Sequence, residues 1–150
     1  MRRYGRPPLA DKAYRPRPGV YAVVLRGDEV LLTFQRDPVP EFQLPGGGVD
    51  PGEQPLAALH REVLEETGWR IAGARRLNCH KRFTYMPEYG MWAEKICAIY
   101  LARPSLRRCA PVEPGHAALW MPLALAADRV ASPGDRAALA ALAGPLPRAA

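Results

Sequence analysis

The clearest pattern in the chain begins at Gly19, where the apolar run 20–25 is followed by the polar Arg26-Gly27-Asp28-Glu29 and a second apolar run, 30–34. Two β-rich runs separated by a Gly-Asp turn predict a hairpin. Pro38, Pro40 and Pro45, followed by Gly46-Gly47-Gly48, predict irregular backbone between Asp37 and Gly52. After Gln54 the period changes, and Leu56, Leu59 and Val63 fall on one helical arc that can anchor a helix to a sheet. That helix should run from about 54 to 67. Pro55 sits in its first turn, where a missing N–H costs nothing, and Gly68 is placed to cap it in the left-handed conformation. Strand patterns follow near 70–85 and 91–102, and Ser132-Pro133-Gly134-Asp135 opens a short alanine-rich helix. With no repeat and no interdomain linker, the pattern predicts one α/β domain over 19–150, preceded by a basic, proline-rich arm at 1–18.

Composition narrows this picture. The chain has 150 residues, 48% hydrophobic and 24% charged, enough to bury a core without disulfides. No apolar run nears the ~20 residues of a membrane helix, and no apolar segment follows the basic start to make a signal peptide. The expected address is the cytoplasm. Cys79, Cys97 and Cys109 lack metal-site spacing and predict free thiols, two of them buried. The net charge of +6 favours acidic ligands. Much of it lies in the arm, where Arg2, Arg3, Arg6, Lys12, Arg15 and Arg17 face a single Asp11. Such a run is ordinarily a solvated surface, with contact to RNA the sharper alternative.

The chemistry concentrates in residues 46–69, GGGVDPGEQPLAALHREVLEETGW. Glu62, Glu65 and Glu66 stand at i, i+3 and i+4, within an arc of roughly 100° on one helix face. Like-charge crowding costs a few tenths of a kcal/mol per close pair, offset in part by Arg61. Clustered carboxylates are the hard oxygen ligands that Mg²⁺ takes, usually shared with substrate phosphates. By themselves three glutamates also suit a solvated acidic face. A P-loop reading of Gly46-Gly47-Gly48 fails, because no Gly-Lys-Ser/Thr follows.

The spacing around the glutamates decides between these readings. Gly47, five residues, Glu53, seven residues, then Arg61-Glu62-Val63-Leu64-Glu65-Glu66-Thr67-Gly68-Trp69 resembles the Nudix box GX5EX7REUXEEXGU, U being a bulky aliphatic. All the fixed positions match, a coincidence on the order of one in a million at ordinary residue frequencies. Trp69 departs from the last aliphatic position and should serve packing. The resemblance implies an α/β/α sandwich around a mixed β-sheet. It also implies a Mg²⁺- or Mn²⁺-dependent hydrolase of a nucleoside diphosphate linked to another moiety.

Carried over position by position, the resemblance makes Glu62 and Glu66 metal ligands, and Glu65 a ligand or the group that orients the attacking water. Glu53 would meet Arg61 and hold the loop, the Gly46 carbonyl would be a further ligand, and Gly47 and Gly68 would be conformational necessities. Glu113 is the candidate for an acidic residue outside the box, with His116 and Glu94 as alternates; His60 and His80 have weaker claims. Arg36, Arg82, Tyr85 and Lys95 are the candidate substrate-binding residues, since aromatics stack on bases and cations hold phosphates. Tyr85 and Pro87 both fall where subfamily markers occur, pointing to dinucleoside polyphosphates and ADP-ribose respectively, so the substrate stays open. Two alternatives accompany the main reading: an RNA 5′-pyrophosphohydrolase, and a non-catalytic nucleotide sensor, which commonly loses box carboxylates. Homodimers are frequent in the family.

Overall fold

The computed structural model describes residues 1–112 and 114–144. Its strands are β1 (Arg2–Arg3), β2 (Arg15–Arg26), β3 (Glu29–Gln35), β4 (Glu41–Gln43), β5 (Gly46–Gly48), β6 (Trp69–Met86), β7 (Met91–Arg107) and β8 (His116–Pro122). Helix α1 (Pro55–Thr67) follows β5, and α2 (Leu123–Arg129) and α3 (Pro133–Ala143) close the chain. The strands form one mixed sheet in the order β1-β6-β7-β2-β3-β4, with β5 pairing β2 and β8 pairing β3. β2 runs parallel to β7, whereas β6–β7, β2–β3 and β3–β8 are antiparallel.

Alternation along β2 divides the core. Val20, Ala22 and Val24 point to one face, where Ala58, Leu59 and Val63 of α1 pack with Leu31 and Tyr100. Val23 points to the other face, into Val30, Leu32, Leu44, Ile99, Val130 and Leu139, beneath α2 and α3. Helices therefore cover both sides of the sheet, and the architecture is the α/β/α sandwich.

Several elements differ from the sequence reading. Leu56 is 47% exposed, and Ala58 takes its place against the sheet. β2 begins at Arg15, five residues before the apolar run, because its polar end pairs with β7 from Arg15↔Ala93 onward. The proline- and glycine-rich stretch contains β4 and β5, short strands held by β3 and β2. Of the cysteines only Cys97 is buried; Cys79 is partly covered and Cys109 exposed, all three free thiols. The basic N-terminal segment lies against the sheet: β1 adds to the edge beside β6. Tyr4 donates its amide to the Lys81 carbonyl, and the Tyr14 ring meets Phe83 and Trp92.

Candidate active site

Helix α1 is fixed at both ends by the signals its sequence carries. Pro55 occupies the first turn, and Gly68, at φ 75°, donates its amide to the Leu64 carbonyl. The helix turns its carboxylates toward β5. Glu66 is only 6% exposed, and its Oε2 accepts the Gly46 amide at 3.0 Å. Gly46 has φ 154° and lies against the backbone of Val20 and Tyr21, a close approach that excludes any side chain. Gly47 matters for a different reason. A Cβ there would stand 2.5–2.7 Å from the carboxyl carbon and both oxygens of Glu62. The bare backbone is what leaves room for that carboxylate.

Arg61 ties the box together. Its Nε and Nη2 donate to the two oxygens of Glu53 at 2.8 and 2.9 Å, and its Nη1 to Glu62 at 2.9 Å and Glu65 at 3.4 Å. Nη2 also reaches the Gly48 carbonyl at 3.2 Å, so the helix and the glycine loop are fastened to one guanidinium. Glu53 accepts the Asp50 amide as well, at 3.1 Å. The Arg61 hydrogen bonds, and next the Asp50 amide, hold the Glu53 carboxyl down at about 2. Arg61 is pushed upward in return, chiefly by Glu53.

The donors here are hard carboxylate oxygens plus the backbone of a glycine loop, a set that suits Mg²⁺ or Mn²⁺. Among the described residues no three acidic, cysteine or histidine side chains already converge as a ready-made metal site. Glu62 and Glu65 are shared with Arg61, and Glu66 is turned to Gly46. The space kept for the Glu62 carboxylate at Gly47 and the buried, backbone-anchored carboxylate of Glu66 nevertheless fit a divalent cation in chemistry.

A cleft of about 630 Å³ opens from Gly46, Gly47 and Glu66. Its floor is the face of β2 carrying Arg17, Gly19 and Tyr21, with Lys95 and Cys97 of β7 and Arg82 and Thr84 of β6. Arg82, Lys95 and Arg17 sit opposite one another on three neighbouring strands, a row of cations across the sheet. Burial, and next Arg82, lower the pKa of the Lys95 ammonium. One wall is the first turn of α3, capped by the Ser132 hydroxyl, which accepts the Asp135 amide at 3.4 Å. Burial raises the Asp135 carboxyl to about 6, against the pull of a Leu44 amide bond, Arg82 and Lys95. Beneath that turn Gly134 lies directly on the buried His80 ring, whose other neighbour is Tyr4 at 5.2 Å.

The structure thus brings Glu66, Gly46, Gly47, Arg82, Tyr85, Lys95 and His116 to one cleft. Arg36 is exposed and does not line it. Glu94 pairs with Lys81 at 3.3 Å, one residue out of phase with Lys95 and so on the other face. His60 is exposed on α1, and His80 is walled in beneath α3. Glu113 lies outside the described residues. Sequence reasoning missed Arg17, Tyr21 and Asp135. In the sequence Asp135 reads only as part of a helix start; Arg17 and Tyr21 reach the cleft through the β2–β7 register, which leaves no local sequence signal.

The structure thus sets an acid-bearing helix, locked to a glycine loop, beside a cationic cleft. The NUDIX domain model matches residues 15–142, and the chain belongs to that family. A MutT NUDIX hydrolase from Burkholderia pseudomallei is similar in structure, with a TM-score of 0.64 and 30% identity, over 83% of this chain and 96% of that one. The MutT protein from Bacillus halodurans shares the fold, with a TM-score of 0.68 at 20% identity, over 82% of this chain and 79% of that one. Among curated relatives, a putative 8-oxo-dGTP diphosphatase from Bacillus subtilis is 39% identical over 47% of each chain. An RNA pyrophosphohydrolase from Helicobacter pylori is 46% identical over 40% of this chain and 41% of its own. The chain thus spans less than half the length of the curated relatives it matches. Among the described residues no helix is long and apolar enough to cross a membrane.

Proposed function

We propose that this chain is a metal-dependent pyrophosphohydrolase that cleaves the phosphoanhydride of a nucleotide-type substrate by attack of water. The observation that carries the reading is the pairing of Glu66, buried and bonded to the Gly46 amide, with a cleft floored by Arg82, Lys95 and Arg17. Glu62, Glu65, Glu66 and the Gly46 carbonyl would hold Mg²⁺ or Mn²⁺. When bound, such an ion lowers the pKa of water and neutralises charge on a diphosphate.

The chain's own groups supply the rest. Glu65, at 42% the most exposed carboxylate among the box glutamates paired to Arg61, is the candidate to take a proton from the attacking water. Arg61 and Glu53 position the carboxylates and the loop without touching substrate. Lys95, Arg82 and Arg17 hold phosphate oxygens, and Tyr21 and Tyr85 offer ring faces to a base. Asp135, poised near pH 6, can accept or donate a hydrogen bond according to its proton. The curated relatives are named a diphosphatase and an RNA pyrophosphohydrolase, which supports this reading. The test is a hydrolysis panel of ADP-ribose, diadenosine polyphosphates, ordinary and oxidised nucleoside triphosphates, nucleotide sugars and 5′-triphosphate RNA, with and without Mg²⁺.

A further inference from the structure

A second hollow opens on the other face of the sheet from the cleft. It is lined by Leu31 of β3, Ala118 and Trp120 of β8 and Trp69 at the start of β6, with Arg26 and Arg107 beside them. Leu31, Trp69, Ala118 and Trp120 belong to the core beneath α1, whereas Tyr21 of the cleft packs with the core beneath α2 and α3. The hollow has a volume of about 320 Å³, at the small end of ligand pockets. That suits one ring system with an attached group rather than a polymer.

Its chemistry is that of rings and cations. The Trp69 and Trp120 indoles meet edge to face, with centroids 5.4 Å apart and planes at 88°, and so form a corner. The Arg26 guanidinium stacks over Trp120 at 3.9 Å and lies 5.7 Å from the Trp69 ring. A stacked guanidinium keeps its N–H donors at its edge. Glu29, the carboxylate nearest in pairing, stands 4.0 Å from Arg26, too far for a hydrogen bond. Arg107 lies directly across the β6–β7 ladder from Trp69, is exposed, and pairs with no carboxylate among the described residues. Thr67 also lines the hollow, but its hydroxyl is used within the helix: it donates to the Val63 carbonyl at 2.6 Å and accepts the Trp69 amide at 3.1 Å. Among the described residues no acidic side chain lines the hollow, whereas Glu41, Asp50, Glu66, Glu88 and Asp135 line the cleft. The hollow can therefore take an anion without a metal ion.

We propose that this hollow is a second ligand site, for a planar aromatic anion of the nucleoside monophosphate class. The base would lie against the corner of Trp69 and Trp120, and the phosphate would take the free donors of Arg26 and Arg107. Trp69 keeps its packing role, since its half-buried ring also rests on the core beneath α1. The hollow shares no lining residue with the cleft, so this site stands or falls apart from the hydrolase reading.

AMP is the probe, because it carries a base and a phosphate but no phosphoanhydride for the cleft to cleave. The chain's tryptophans are Trp69, Trp92 and Trp120, and their indole N–H resonances, assigned from the three Trp→Phe variants, report where a ligand sits. Titration with AMP, without divalent metal, should shift the Trp69 and Trp120 signals saturably. Lys95→Ala, which alters only the cleft, should leave that titration unchanged. Arg107→Ala should weaken it roughly tenfold, the worth of a charge-assisted hydrogen bond, and Arg107→Lys should fall between the two. Both Arg107 variants should keep the wild-type melting temperature, because the side chain is exposed. Adenosine and inorganic phosphate, which carry only the ring or only the charge, should each bind roughly tenfold more weakly than AMP. Trp69 and Trp120 signals that do not move, shifts lost in Lys95→Ala or kept in full in Arg107→Ala, or phosphate binding as tightly as AMP would overturn the proposal.

Discussion

The two ends of the cleft are built in opposite ways. At one end, Glu53, Arg61, Glu62, Glu65 and Glu66 come from 14 consecutive positions, and the Arg61 guanidinium joins three of the four carboxylates. At the other end, Arg17, Arg82, Lys95 and Asp135 come from four separated elements, and strand register alone makes neighbours of the first three. The first end is saturated with short ion pairs, whereas the second gathers charge with few partners. Chemistry that must keep one geometry is written into one helix and its loop. The cationic end, which the proposed function assigns to substrate recognition, is assembled from what strand register brings alongside.

The sharpest way to break this contrast is at Glu66. Glu66→Gln keeps the volume and an oxygen acceptor for the Gly46 amide, so the fold should survive. Turnover should fall by more than about 100-fold, because a charged donor is lost from the set that would hold the metal. Unchanged turnover at limiting Mg²⁺ would remove Glu66 from that set.

Gly47→Ala tests whether the loop serves the carboxylate. The added methyl would occupy the place of the Glu62 carboxyl, which can swing away only by leaving Arg61. Turnover should drop roughly 10- to 100-fold while the melting temperature moves little, since the atom displaced is the end of a side chain. A protein destabilised by several degrees with normal turnover per folded molecule would contradict this account.

Asp135→Asn probes the recognition end through pH. With its folded pKa raised to about 6, Asp135 keeps a proton that the unfolded chain, titrating near 3.8, has already lost. Its ionisation therefore lowers stability as pH rises from about 4 through 6, and that cost persists above 6. Asn removes it, so the variant should be more stable than wild type at pH 7.5 by roughly 1–3 kcal/mol and indistinguishable near pH 3.5. Glu53 has the opposite sign: lowered to about 2, its contribution is present above 4.5 and lost as pH falls toward 2, in wild type and variant alike. Urea denaturation at the two pH values separates them. A constant difference between variant and wild type would count against a raised Asp135.

Trp69→Leu should have the smallest effect. The indole packs edge-on against Trp120 at 5.4 Å, with Arg26 stacked over Trp120 at 3.9 Å, and it does not line the active cleft. Stability should fall by about 1 kcal/mol, the worth of an aromatic pair, and turnover should stay within about twofold of wild type. A large loss of turnover would contradict a packing role for Trp69.

What could be read in advance follows the same division. The α1 boundaries, Gly68 and the Glu53–Arg61 pairing were legible because caps, helical spacing and the box are local. The hairpin of β2 and β3 was legible from alternation and a Gly-Asp turn. β5 was hidden because three glycines carry no strand propensity; its pairing with β2 is imposed by the close approach of Gly46. β1 and the polar end of β2 were hidden by their arginines, which read as a solvated tail but hydrogen-bond through backbone to β6 and β7. Arg36 offers charge but no other sign of a site; it is exposed and does not line the cleft that the preceding Gln35 lines. Leu56 illustrates the limit of periodicity: in the first turn of α1 it stays 47% exposed, and the small Ala58 packs into the core instead.

The central claim is that the box end of the cleft performs metal-dependent hydrolysis. The most direct measurement is phosphate or nucleotide release across the substrate panel for wild type and Glu66→Gln, each with Mg²⁺ and with EDTA. The account predicts turnover of at least one nucleotide class by wild type with Mg²⁺, its loss in EDTA, and its near-absence in Glu66→Gln. Turnover that persists in EDTA or is equal in the variant would contradict it, as would tight nucleotide binding with no hydrolysis of any class, the behaviour of a sensor.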